Sequence, residues 1–71
     1  MNIPEGLSAA EIERRISDRI VGRHAERNRA ILRRRLIDGI VYEKLAEEFD
    51  LSVRQVKNIV YKGENRIFKL H

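Results

Sequence analysis

The stretch YEKLAEEFDLSVRQVKNIVYKG, Tyr42 to Gly63, decides the fold. On a helical wheel Leu45, Ala46 and Phe49 fall on one side of its first part, and Glu43, Lys44, Glu47 and Glu48 on the other. Asp50 and Leu51 make a short turn. Ser52 then caps a further helix, and Gln55 completes the S-x-x-Q capping box that fixes where this helix starts. Along it Val53, Val56, Val60, Gly63 and then Ile67 keep the three-and-four spacing of a buried face. Arg54, Gln55, Lys57, Asn58, Tyr61 and Lys62 are left pointing outward. Ala46 is small where two helices must cross closely, and Leu51 plugs the turn into the core.

Reading outward from there, Glu26 to Asp38 forms a central helix whose apolar residues spread over more than one face, stopped by Gly39 in a left-handed conformation. Arg33, Arg34 and Arg35 are consecutive, so they point in different directions and read as solvated or ion-paired rather than as one patch. Before Gly22, a first helix runs from Ala9 to Val21, opened by Ser8 with Glu11 at capping-box spacing. Ala9, Ile12, Ile16 and Ile20 make a narrow apolar stripe on it. The stripe packs on the rest of the chain or forms a dimer seam; Arg19 and Arg23 interrupt any heptad continuation. Pro4 and Gly6 mark an extended lead-in.

The expected architecture is therefore all-α, a small four-helix domain with helices near 9–21, 26–38, 42–49 and 53–68. Residues 1–25 supply the lead-in and an accessory or dimerisation helix, and 26–71 the helix-turn-helix unit, the two forming one compact body.

Composition narrows the function. The 71 residues are 42% hydrophobic and 37% charged, a globular balance. Cysteine is absent, which excludes disulfides and cysteine-based zinc sites. His24 and His71 have no carboxylate partners at ligand spacing, so no metal or cofactor is expected. No apolar run approaches the roughly 20 residues of a membrane span, and MNIPEGLSAAE does not resemble a signal peptide, so a cytoplasmic protein is expected. Nothing pairs a nucleophile with a base, and Ser52 is committed as a cap; the chain does not read as an enzyme.

The net charge of +4 is unevenly placed. Acids and bases cancel over residues 1–25 and again over 26–50, whereas Arg54, Lys57, Lys62, Arg66 and Lys69 face Glu64 alone in the remainder. An anionic partner for the C-terminal segment follows. On the outward face of the last helix, Arg can grip guanine, Gln and Asn can grip adenine, and Lys neutralises phosphate. Tyr42 and Tyr61 either donate hydroxyls to phosphate or pack half-buried at the helix edge. Ile59 reads as packing under Phe68 and Leu70 rather than as a thymine-methyl contact.

From about Arg27 to Leu70 the chain resembles the fourth conserved region of bacterial sigma factors, through IDG (Ile37 to Gly39), YEKLAEEFDLS (Tyr42 to Ser52) and SVRQVKNIVYKGENRI (Ser52 to Ile67). The resemblance implies promoter-type major-groove binding by the helix from Val53, with Arg54, Gln55, Lys57 and Asn58 at base- and phosphate-contacting positions. Val41 departs from the Ser or Thr usual before the third helix, and Arg34 from an often apolar position. Nothing in the chain resembles the sigma regions that melt DNA, so a small sigma-like or Mor-type regulator fits better than a free-standing sigma factor. The expected DNA-binding set is Tyr42, Ser52, Arg54, Gln55, Lys57, Asn58, Tyr61 and Lys62. Double-stranded DNA is the expected partner, bound by a homodimer built on the first helix or on the tail Ile67-Phe68-Leu70. The alternative is a sigma-region mimic that acts as a protein-interaction module on RNA polymerase or an anti-sigma partner.

Overall fold

A computed structural model describes residues 7–68, which form four helices without a strand among them. They are α1 (Ala9–Arg19), α2 (Ala25–Leu36), α3 (Tyr42–Phe49) and α4 (Val53–Phe68). The all-α reading holds, and α3 and α4 have the expected bounds. The lead-in read at Pro4 and Gly6, and the tail residue Leu70, lie outside the described residues.

Three helix ends differ from expectation, one in α1 and both in α2. Helix α1 stops at Arg19 rather than Val21: Ile20 is extended, though its N–H still donates to Ile16 O. Gly22 (φ 95°) and His24 (φ 61°) then reverse the chain in left-handed conformations. Helix α2 starts at Ala25 and stops at Leu36, so Ile37 and Asp38 belong to the turn. There Gly39 (φ 71°) bends the chain until the Ile40 N–H reaches Arg34 O at 3.1 Å.

The capping at the start of α1 is half of the expected box. The Glu11 N–H donates to Ser8 Oγ at 3.2 Å, but the Glu11 carboxylate faces Arg14 and Arg15 instead of returning to Ser8. Helix α3 has no such bond at all, because Val41 at its N-cap carries no acceptor. Its C-terminal end is closed by Asp50 in the left-handed region (φ 56°), with Leu51 N–H donating to Ala46 O at 2.9 Å. This 6→1 bond is the Schellman pattern. It makes the turn between α3 and α4 short and sets Leu51 against the core.

The core joins all four helices. Ile12, Ile16 and Ile20 meet Ile31, Leu32 and Leu36 of α2, Leu45 and Ala46 of α3, and Val56, Val60 and Ile67 of α4. The isoleucine stripe of α1 is thus spent inside the chain and gives a second copy no apolar seam, which corrects the dimer reading of that stripe. Ile67 is buried in the same core, so it too is withdrawn from a dimer contact. Ile59 and Phe68 pack partly buried against it; the Leu70 half of the expected cover over Ile59 lies outside the described residues. Val53, expected on the buried face, is only half-buried at the start of α4.

Polar ties fasten the surfaces. Arg33 of α2 pairs with Glu13 of α1, and Arg34 pairs with Glu48 of α3 at 2.9 Å and with Asp38 at 3.6 Å. Hydrogen bonding to Glu48 is the main reason the Arg34 guanidinium is raised further above its ordinary pKa. Arg15 and Arg19 each donate to Ile67 O at 3.0 Å, placing two cations at the carbonyl end of α4 where the helix dipole favours them. Helix α1 therefore anchors α4 by its apolar stripe and its charges together.

Candidate nucleic-acid interface

Burial of Val56, Val60, Gly63 and Ile67 fixes the rotation of α4 about its axis. Consequently Arg54, Gln55, Lys57, Asn58, Tyr61 and Lys62 are all exposed along one outward surface. Ion pairs among the described residues use Arg14, Arg15, Arg33 and Arg34. None involves Arg54, Lys57, Lys62 or Arg66. The cations of α4 are therefore uncompensated, and the helix presents them as a run of positive charge.

The start of α4 is held by a complete capping box. Gln55 N–H donates to Ser52 Oγ at 3.1 Å, and Ser52 N–H donates to Gln55 Oε1 at 2.9 Å. The donor in the second bond is a backbone N–H, so the acceptor must be the amide oxygen and the side-chain orientation is unambiguous. This revises the expected role of Gln55. A bidentate grip on adenine needs Oε1 as acceptor and Nε2 as donor, yet Oε1 is folded back onto the cap. The structure leaves Nε2 free as a donor, whereas Asn58 keeps both ends of its amide outward and unused among the described hydrogen bonds. Ser52 likewise serves the cap.

One flank of the surface is built on Tyr42, the first residue of α3. Its ring lies under the Arg35 guanidinium, 4.2 Å from the centroid, with Lys57 Nζ at 5.7 Å. Arg35 also donates to Ile40 O at 3.0 Å, which ties the loop before α3 to α2. Tyr42 is half-buried, and burial pushes its phenol pKa up while Arg35 pulls it down. Packing rather than a free hydroxyl contact is its visible role; Tyr61, in contrast, is exposed. Glu64, the single acid of the segment, is partly buried, and desolvation raises its carboxyl pKa.

The other flank opens into a groove that sequence reading did not find. Arg23 and Arg27, from the α1–α2 turn and the start of α2, line it together with Lys62 and Arg66 of α4 and with Asn28 and Asn58. Arg27 is steadied by its Nε donating to Asn28 Oδ1 at 3.2 Å. The signal was present only in three dimensions, since Arg23 and Arg27 lie in segments whose net charge is zero. Among the described residues no group of three His, Cys, Asp or Glu side chains is placed to hold a metal ion, and no helix is long and apolar enough to cross a membrane.

No family model matches the chain, and neither a curated protein nor a solved structure matches it.

Proposed function

We propose that this chain is a sequence-specific double-stranded DNA-binding transcription regulator that places α4, from Val53 onward, in the major groove as the second helix of a helix-turn-helix. The observation that carries this reading is the outward surface of α4. It presents Arg54, Lys57, Asn58 and Lys62 together, without carboxylate partners, on a helix whose start is capped and whose far end is held by Arg15 and Arg19. Phosphate neutralisation supplies affinity and the outward amides and guanidinium supply discrimination. Asn58 and Arg54 are the principal base readers, Lys57 and Lys62 the phosphate contacts, and Gln55 contributes one donor at most while its cap is intact.

The test is charge reversal. Arg54→Glu/Lys57→Glu removes two cations and adds two anions at exposed positions, so folding by circular dichroism stays native while duplex affinity falls by about a hundredfold or more. Retention of duplex affinity by this variant would refute the proposal. Retention of a complex with RNA polymerase or an anti-sigma protein, alongside weak DNA binding by the parent chain, would transfer the surface to the protein-interaction reading.

A further inference from the structure

The groove beside α4 has a chemistry that the DNA-reading surface does not need. Its volume is about 310 Å³, the lower end of the range for small-molecule sites. Four cations and two side-chain amides line it, and no carboxylate does. The rest of the lining is aliphatic, Ile20, Val21, Leu32 and Ile59, together with Gly63, which Leu32 approaches too closely to admit a side chain. Val21 is 58% exposed, so part of this apolar lining is open to a ligand.

We propose that the groove binds a small phosphorylated molecule of nucleotide size, with its phosphates on Arg23, Arg27, Lys62 and Arg66 and its flat body on the aliphatic floor. The triphosphate chain of a nucleotide, about −4 at neutral pH, matches the four cations in charge. The floor accounts for the choice of an organic phosphate over a bare anion, and Asn28 and Asn58 can pair with the polar edge of the body. A phosphodiester strand would meet the rim and leave the floor unfilled. Asn58 and Lys62 belong both to this groove and to the DNA surface, so an occupied groove competes with DNA; this consequence, unlike the binding itself, rests on the DNA-binding reading.

The test uses the whole chain without DNA, isotopically labelled and titrated in separate experiments with ATP, inorganic tripolyphosphate and dimethyl phosphate. The expected result is amide shifts concentrated at Arg23, Arg27, Asn28, Asn58, Ile59 and Lys62, with ATP at least about tenfold tighter than the other two. Arg23→Gln/Arg66→Gln, both at exposed positions, should weaken ATP by about tenfold or more while the rest of the spectrum stays native. Equal affinity for ATP and tripolyphosphate would make the floor idle, and dimethyl phosphate binding as well as ATP would assign the groove to a nucleic-acid backbone. Either result overturns the proposal, as do shifts centred on Arg54 and Lys57 or no localised shifts at millimolar ATP. When ATP does bind, a duplex affinity that it leaves unchanged refutes the competition alone.

Discussion

Gly63→Ala tests whether α4 sits on α2 as closely as described. Alanine in place of glycine inside a helix ordinarily gains about 1 kcal/mol, so propensity alone argues for stabilisation. At this position, however, a Cβ would lie 2.5 Å from Leu32 Cδ1, 2.7 Å from Cδ2 and 3.1 Å from Cγ. Leu32 is fully buried, so its isobutyl group cannot swing into solvent. Overpacking of this kind costs about 1–3 kcal/mol, and with both methyls blocked the upper half of that range applies. The net expectation is a loss of about 1–2 kcal/mol, seen as a fall in Tm of roughly 5–15 °C for a domain this small. The assay is thermal and urea unfolding followed at 222 nm. Leu32→Val withdraws the offending carbons, so Gly63→Ala should cost less, or become stabilising, in that background. A single Gly63→Ala variant more stable than the parent would refute the close approach and with it the rotation assigned to α4.

Three other outcomes follow from caps and burial. Val41→Ser should stabilise the fold by about 1 kcal/mol, because Val41 is 57% exposed, already has the extended N-cap backbone and caps nothing; unchanged urea midpoints would contradict it. Gln55→Glu preserves the reciprocal bond to Ser52 N–H and so the melting temperature, yet puts a carboxylate on the surface proposed to bind DNA, so duplex binding measured by anisotropy should weaken; a large loss of stability would mean that the capping box is not what holds Gln55. The raised pKa of Glu64 means that its protonated form is favoured by folding and its ionised form disfavoured, so its contribution is fully favourable below the unfolded pKa and is lost as pH rises through the folded value. Glu64→Gln should therefore raise Tm at pH 7, with the gain shrinking towards pH 3; a gain independent of pH would exclude ionisation as its cause.

The parts legible in the sequence are those governed by local rules. Ser52 and Gln55 announce the start of α4 because a capping box spans only four residues, and its reciprocal bonds are present. Ile12, Ile16 and Ile20 announce a buried stripe because helical periodicity is local too. What covers that stripe was not local: docking and dimerisation use the same pattern, and only the placement of α2 and α4 against α1 decides for docking. The end of α1 was misplaced because Gly22 is the visible breaker, whereas the extended backbone at Ile20 and the left-handed one at His24 leave no compositional mark. The dual use of Gln55 was readable as residue types but not as a conflict, since one oxygen serves the cap and the expected base contact. The groove was illegible because charge counts cancel along the chain and not in space. Glu11 and Glu13 are taken up by Arg14, Arg15 and Arg33, which leaves Arg23 and Arg27 to line the groove with Lys62 and Arg66.

The central claim is that the uncompensated cations of α4 bind duplex DNA, and its most direct test is fluorescence anisotropy of a labelled duplex titrated with the purified chain across a salt series. Four neutralised phosphates at about −0.9 each predict a slope of log affinity against log salt near −3.6, a weakening of roughly a hundredfold between about 50 and about 200 mM. A slope near that value, reduced by about one unit in Lys62→Ala, is the predicted result. Absence of binding at about 50 mM salt, or affinity that salt does not change, would contradict the account.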